Sequence, residues 1–363
     1  PFFISYQSRN EKTLDAIKRY NLVDDNSRAL IQMSRESGVF VTSEMIFGLP
    51  NETKESFMTG VEELYKLGVD SISLYQCKVL DGTDMATKKT KSDYSIITKH
   101  RFYEDNFQLI KTNTEYGDIM ACETDEVPVS STSYSLQDFL EIRMLGFWNE
   151  LFFCQRIYFE VLKHFENYGF SPFQIIYKLT DQSSMPVKLR SFIDEVKGKF
   201  EEELHETHDD LKSACKKLIK SDPDFKSKKI NYYFGYLLIH TDMRNELDSY
   251  IKTITKEIAS QYLLTDAYQS FVGVIDELFD YHSNRIINPD LFEKSLREPN
   301  RANRQTQPLA KDLNQGAGND HACLSGGVGV AKMEAESVPS DNSFELLKDI
   351  NMTRSNHSTV KRY

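Results

Sequence analysis

The stretch Glu44-Met45-Ile46-Phe47-Gly48-Leu49-Pro50-Asn51-Glu52-Thr53 decides the fold, because it predicts the end of a strand and the start of a helix. The apolar run before it predicts a strand over residues 39–47. Gly and Pro residues then break any regular element. A helix is predicted over residues 53–67, closed by Gly68. The apolar residues of this helix recur at helical spacing: Phe57, Val61, Leu64 and Tyr65.

The same alternation of strand and helix extends to both sides of this stretch. Strands are predicted over residues 2–6 and 71–79, and helices over 11–20, 27–37 and 95–112. Strands separated by helices of this length are typical of βα units and of a parallel sheet. We therefore predict an α/β fold in which residues 1–115 form a partial (β/α) barrel of parallel strands.

The rest of the sequence predicts an α-helical domain followed by a disordered tail. Within residues 116–134, the segment 118–129 has extended character, and Pro128 excludes its neighbourhood from a central strand. Helices are predicted over 135–168, where Ser135 and Asp138 resemble a capping box, and over 171–295. From about residue 297 the sequence is rich in Gly, Asn, Ser and Gln, which predicts disorder. The predicted parts are 1–115, 116–296 and 297–363.

Composition excludes some classes of function. The formal net charge is −11 over 363 residues, which argues against nucleic acid as a partner. No apolar stretch is long enough to span a bilayer, so no membrane partner is predicted. The five cysteines are dispersed without CxxC spacing, which favours reduced thiols and a cytoplasmic protein. The chain opens at Pro1 directly into an apolar run, so we expect a truncated or processed N-terminus.

Polar residues follow the predicted strands where a parallel sheet places its ligands. Gln7 and Ser8 come directly after the first strand, and Arg19 lies one helix further on. The planar guanidinium of Arg19 suits a carboxylate. Glu44 lies in an otherwise apolar strand, where a lone carboxylate is costly unless solvated, paired or ligand-bound. Gly48 would let a ligand approach the backbone closely.

Structural explanations for the same residues remain open at this stage. Gln7 and Ser8 could be ordinary loop residues, and Arg19 with Glu44 could be an ion pair at the rim of the sheet. The run from Gly48 to Pro50 could be only a turn. By itself, the residue pattern predicts a parallel α/β protein with a ligand at the strand ends.

Three segments, in order, resemble the radical S-adenosylmethionine (SAM) superfamily. QSRNEKTLDAIKRYN, residues 7–21, resembles the segment that follows the fourth barrel strand in that superfamily. EMIFGLPNET, residues 44–53, resembles its fifth-strand motif, and LYQCKVLDGTDM, residues 74–85, is similar to its sixth strand. Asn51 stands where the superfamily usually has Gly, a departure that Asn tolerates in left-handed backbone. The resemblance covers roughly residues 1–112.

The resemblance implies a set of SAM contacts, with no catalytic residue assigned. By analogy with the oxygen-independent coproporphyrinogen oxidase-like branch, Gln7, Arg19 and Glu44 would contact SAM. Arg19 would hold the methionyl carboxylate, and Glu44 the ribose. Backbone near Gly48 and at Cys77 and Lys78 would flank the adenine.

The superfamily also implies a 4Fe-4S cluster, held by a CxxxCxxC motif that this sequence lacks. We therefore expect the cluster ligands in a missing N-terminal part. We expect that this chain alone does not cleave SAM reductively to a 5′-deoxyadenosyl radical and that it holds no metal. A looser similarity of residues 130–143 to cobalamin-domain members adds cobalamin as a further cofactor. The resemblance implies a small-molecule substrate.

Two other classes compete with this interpretation. A different (β/α) barrel lyase would need a catalytic Lys in a strand, for which Lys78 is the candidate. A non-enzymatic protein would instead use the helices of residues 135–295 to bind a partner. His205 and His208 are predicted on a charged, solvated helix face without HExxH order.

Overall fold

The computed structural model describes residues 1–21, 24–103, 110–114, 117–221 and 229–287. Pro1–Ser283 forms one compact unit, and of the second unit only residues 284–287 are described. The predicted disordered tail, 297–363, lies outside the described residues, as does the end of the predicted helical region beyond 287. The domain boundaries placed at 115 and 296 remain predictions.

Three parallel strands form the sheet predicted from the sequence. They are β1 (Phe2–Ser5), β2 (Val41–Phe47) and β3 (Ser71–Gln76), in the order β1-β2-β3. The register sets Ser5, Glu44 and Ser73 side by side across the strands. The predicted α/β class and the parallel pairing are thus confirmed. The parallel sheet is small, and most of the described residues are helical. Closure into a partial barrel remains a prediction.

Helices make up most of the described chain, and their ends follow local sequence signals. In the helix after β2, the Thr53 hydroxyl accepts from the Ser56 N–H, and the Ser56 hydroxyl accepts from the Thr53 N–H. The same helix ends at Gly68, with φ +105°. The helices are α1 (Glu11–Ala16), α2 (Asp24–Glu36), α3 (Lys54–Leu67), α4 (Lys88–Asp93), α5 (Leu136–Asn149), α6 (Phe159–Asn167), α7 (Phe173–Asp181), α8 (Val187–Glu202), α9 (His208–Ser221), α10 (Ile230–His240), α11 (Met243–Tyr262) and α12 (Thr265–Ile287).

The two faces of the parallel sheet differ in burial. Along β2 every second residue is buried, from Val41 to Phe47, and the residues between them are half-buried. The buried face packs on α3, where the rings of Phe47 and Phe57 meet edge to face at 5.2 Å. On the other face Phe3 is 59% exposed and Tyr75 47% exposed. We call this second side the open face of the sheet.

The helix predicted over residues 95–112 is wrong. Ile97–Phe102 forms strand β4, which pairs antiparallel with β7 (Thr124–Ser130), and β5 (Ile110–Thr114) pairs antiparallel with β6 (Gly117–Ala121). The pairing of β4 joins residues 22 to 33 positions apart, which local helical spacing does not register. Pro128 lies in a two-stranded sheet and not in the central strand of a larger sheet, as its missing N–H requires.

Helix α5 is the most deeply buried element of the helical part, as its dense apolar sequence predicts. Phe147, Trp148 and Leu145 are fully buried, and the capping box of Ser135 with Asp138 is confirmed. The helical region predicted over 135–168 consists of α5, a π-helical turn over Glu150–Cys154 that directly follows it, and α6. This turn lets the Asn149 amide and the Cys154 thiol both donate to the Ile72 carbonyl. None of the described helices is long and apolar enough to cross a membrane.

Candidate functional site at the ends of the parallel strands

Gln7 and Glu44 lie on the open face of the sheet. Burial alternates along β1 and beyond it, with Ile4, Tyr6 and Ser8 buried, which leaves Gln7 on the less buried side. Glu44 is half-buried on β2, between Ser5 and Ser73 of the neighbouring strands. Two of the predicted site residues are therefore placed on one face of the sheet.

The side chains of Gln7 and Glu44 have no hydrogen-bond or ion-pair partner within the described part of the chain. Arg19 follows α1 and is exposed, and it too has no such partner among the described residues. The structural ion pair between Arg19 and Glu44, left open above, is therefore not formed. A half-buried carboxylate without a partner retains its capacity to accept hydrogen bonds from a ligand.

Ser8 is placed differently from the other predicted site residues. It is fully buried, and its hydroxyl donates to the Glu52 carboxylate and accepts from the Asn10 N–H at 2.9 Å. The Asn21 amide donates to the Ser8 carbonyl at 2.8 Å. Within this structure Ser8 therefore holds the loop after β1, and its predicted contact with a ligand remains a prediction.

Glu52 is the central residue of this network, a role that was not predicted from the sequence. Its side chain is fully buried, and its carboxylate accepts from the hydroxyls of Ser8 and Ser56. The Asn10 amide donates to the Asn51 carbonyl and to the Ser56 hydroxyl, both at 3.2 Å. The network joins the loop after β1 to the start of α3, so it fixes the two loops that border the open face. The available signal was an acidic residue just before a helix whose preceding loop contains Gly and Pro.

Burial raises the pKa of the Glu52 carboxyl above its usual value, while hydrogen bonds from Ser56, Ser8 and Asn10 lower it. Burial prevails because desolvation penalises the charged carboxylate more than the hydrogen bonds favour it. Glu52 is thus a structural group whose protonation is coupled to the arrangement of both loops.

Gly48 follows β2 with φ +97°, a backbone conformation that L side chains rarely adopt. A Cβ at this position would lie 3.2 Å from the Cys77 Cβ and 3.5 Å from the Pro128 carbonyl oxygen. The Tyr134 hydroxyl donates to the Gly48 carbonyl at 3.4 Å. Protein atoms therefore occupy the space beside Gly48, and the absence of a side chain serves this packing. The predicted approach of a ligand to its backbone remains untested.

Cys77 and Lys78 follow β3 and are both engaged by protein groups. Burial raises the pKa of the Cys77 thiol to about 12, so the thiol stays protonated at neutral pH. The Lys78 ammonium lies 3.0 Å from the Asp125 carboxylate and 4.0 Å from the centre of the Tyr103 ring. Both contacts hold the Lys78 side chain against protein groups, whereas a Schiff-base lysine needs its amine free to reach a carbonyl substrate. Nothing in this arrangement favours the lyase alternative.

A cleft of about 590 Å³ lies beside these loops, lined by residues from the starts of α1 and α3 and from the segment before α5. None of the predicted site residues lines it. Its lining residues are Asn10, Glu11, Lys12, Asn51, Thr53, Thr132 and Ser133. The cleft therefore shares no residue with the predicted site.

The described part of the chain contains no candidate metal site. There, no group of three or more His, Cys, Asp or Glu side chains is placed to hold a metal ion. The prediction of both His205 and His208 on one helix is wrong, because α9 begins at His208. His205 instead exchanges two backbone hydrogen bonds with His100, at 2.8 and 2.7 Å.

The fold and the open face define an α/β protein with unpartnered polar side chains on one face of a parallel sheet. No family model matches the chain. Among curated proteins it is 25% identical over 127 residues to the uncharacterized protein MJ0486 of Methanocaldococcus jannaschii. This match covers 35% of the chain and 39% of that protein.

Further matches relate the chain, partially and at low identity, to radical SAM enzymes. It is 31% identical over 96 residues to the cobalamin-dependent radical SAM methyltransferase TokK of Streptomyces tokunonensis, covering 26% of the chain and 14% of that enzyme. The chain thus spans well under half of the length of the curated relatives it matches. Among solved structures, coproporphyrinogen III oxidase (HemN) of Escherichia coli, a radical SAM enzyme, is 25% identical over 20% of this chain and 17% of that chain. Its TM-score of 0.19 supports no conclusion about a shared fold.

Proposed function

We propose that this chain supplies the SAM-binding part of a radical SAM enzyme. The observation that carries the proposal is the Glu44 carboxylate, half-buried on the open face and without a partner among the described residues. A carboxylate in this position suits hydroxyl donors such as those of a ribose. The partial matches to radical SAM enzymes support the same proposal.

The remaining contacts of the proposed site follow from position and chemistry. The unpartnered Gln7 amide, on the same face as Glu44, would both donate and accept toward the ligand. The exposed Arg19 guanidinium would bind the methionyl carboxylate through its two parallel donors. Backbone at Gly48, Cys77 and Lys78 would border the adenine. The Glu52 network would act through the loops, by holding Gln7 and Gly48 in place, without touching the ligand.

The intact enzyme would also use a 4Fe-4S cluster held by cysteines outside these 363 residues. None of the five cysteines here has the spacing of the superfamily motif. When bound, the cluster supplies the electron that cleaves SAM to a hydrogen-abstracting radical. A role for cobalamin, a small-molecule substrate and a cytoplasmic location are further parts of this proposal.

Equilibrium dialysis of the chain with radiolabelled SAM tests the binding site. We expect the wild-type chain to bind SAM and Glu44→Gln to bind at least about tenfold more weakly, because a charge-assisted hydrogen bond is worth about 1.5–3 kcal/mol. Glu257→Gln, a change at an exposed carboxylate on α11, is the matched control and should bind as the wild type does. Equal binding by the wild type and Glu44→Gln, or no binding by the wild type, would contradict the proposal.

A second experiment tests whether the cysteines that hold the 4Fe-4S cluster lie outside these 363 residues. The chain is incubated anaerobically with iron and sulfide, desalted, and supplied with SAM and a reductant. We expect no iron–sulfur absorbance and no 5′-deoxyadenosine. A stable brown protein that releases 5′-deoxyadenosine would show that these 363 residues hold the cluster themselves.

A further inference from the structure

Two cysteines that are 93 positions apart in the sequence meet in the structure. The Sγ atoms of Cys122 and Cys215 lie 2.8 Å from each other. Cys122 is half-buried between β6 and β7, and Cys215 is 7% exposed on α9. Three further side chains pack around the pair: Phe102, Leu218 and Ile219.

We propose that Cys122 and Cys215 form a reversible disulfide when the protein meets a low-molecular-weight disulfide such as oxidised glutathione. A disulfide needs an S–S distance of about 2.0 Å, so the two sulfur atoms have to approach by less than about 1 Å. The pair is a different site from the proposed SAM site, because neither cysteine lies on the open face of the sheet.

Formation of the disulfide by thiol–disulfide exchange needs oxidised glutathione as its only co-reactant. The thiolate of Cys122, the more exposed of the two residues, attacks one sulfur of the oxidised glutathione and expels one glutathione thiolate. The Cys215 thiolate then attacks the Cys122 sulfur, which forms the protein disulfide and expels the second glutathione. The two protein thiols are oxidised, the oxidant is reduced to two thiols, and the two protons pass to the released glutathiones.

The local environment makes this reaction slow. Burial raises the pKa of the Cys122 thiol to about 12, and the adjacent Cys215 thiol raises it in the same direction. Only a small fraction of the thiol is ionised at neutral pH, and the thiolate is the attacking species. Oxidation therefore responds to sustained exposure to a disulfide oxidant and not to a brief pulse.

The disulfide would restrain a segment next to the end of β3. Cys122 lies two residues before β7, in which the Glu126 carbonyl accepts from the Val79 N–H at 2.8 Å and the Asp125 carboxylate pairs with Lys78. A covalent bond to α9 would fix the start of β7 and, through these contacts, residues 78–79.

Mass spectrometry of the full chain tests the site. The reduced protein is incubated with oxidised glutathione over a day, alkylated with iodoacetamide in urea so that every remaining thiol can react, and digested without reduction. We expect a cross-linked peptide pair that contains Cys122 and Cys215, with the mass of two hydrogens lost, and its disappearance after dithiothreitol. Cys122→Ser and Cys215→Ser should each lack this pair.

Cys154→Ser is the matched control, because Cys154 is another thiol of the described chain that lies apart from the pair. It should form the cross-link as the wild type does. The proposal is overturned if both cysteines of the oxidised wild type remain fully alkylated, or if they carry glutathione without cross-linking. Because this readout uses the wild type, it holds even if a serine variant fails to fold.

Discussion

The Ser8 hydroxyl donates a hydrogen bond to the buried Glu52 carboxylate and so fastens the loop after β1 to the loop after β2. Ser8→Ala removes one donor from a carboxylate that water does not reach. We expect a loss of about 1–3 kcal/mol in the free energy of unfolding, measured by urea denaturation. Ser92→Ala, at an exposed serine, should change it by less than about 0.5 kcal/mol. Equal effects of the two changes would show that the hydrogen bond contributes little.

The raised pKa of Glu52 predicts how stability depends on pH. Because the pKa of the folded state lies above the usual 4.5, the contribution of Glu52 is fully present below pH 4.5 and is lost as the pH rises through the folded pKa. We expect the stability of the wild type relative to Glu52→Gln to fall as the pH rises above 4.5. Urea denaturation of both proteins at several pH values measures the difference in their free energy of unfolding. The contributions of the other carboxyl groups cancel in this difference because both proteins share them. A difference that rises with pH would contradict the expected sign.

A comparison of alanine substitutions at Gly48 and Gly82 separates the loss of stability caused by backbone strain from the loss caused by crowding. Both have positive φ, +97° and +80°, but an added Cβ meets the Cys77 Cβ at 3.2 Å beside Gly48 and nothing within 4 Å beside Gly82. Gly48→Ala should therefore destabilise the protein by at least about 1 kcal/mol more than Gly82→Ala, because overpacking adds to strain. Thermal denaturation followed by circular dichroism compares the two variants. Similar losses would mean that the packing around Gly48 adapts.

The buried thiols of Cys77 and Cys154 should react slowly. Burial raises the pKa of each to about 12, which leaves little thiolate at pH 8. We expect iodoacetamide to modify both at least about a hundredfold more slowly in the folded protein than in urea. Peptide mass spectrometry after timed quenching gives both rates, and the urea sample is the internal reference. Rapid labelling of the folded protein would show that these side chains are accessible.

Local signals predicted the parallel sheet and several helix ends. Thr53, Gly68 and the Ser135–Asp138 box act within one helical turn, so their effect can be read from neighbouring residues. The strand over 97–102 was missed because its pairing depends on β7, which follows more than 20 residues later. Single-sequence periodicity holds no information about such a partner.

The candidate site was predictable only in part, for the same reason. The polar residues after β1 and in β2 were found from their positions beside apolar runs. The role of Glu52 was missed because it depends on hydroxyls that lie 44 and 4 positions away, and the contact of Cys122 with Cys215 spans 93 positions. Contacts of this kind become visible only when the loops and helices are placed in space.

The π-helical turn at Glu150–Cys154 limits the insertions and deletions that homologous chains can tolerate at this position. It holds one more residue per turn than an α-helix would, and Asn149 and Cys154 both reach the Ile72 carbonyl because of it. Removing one residue there would turn Cys154 by about 100° around the helix axis relative to Asn149, away from the Ile72 carbonyl. Homologous chains that keep the Asn149 contact should therefore keep the length of this turn, and a one-residue gap in an alignment at 150–154 would mark chains that have lost it.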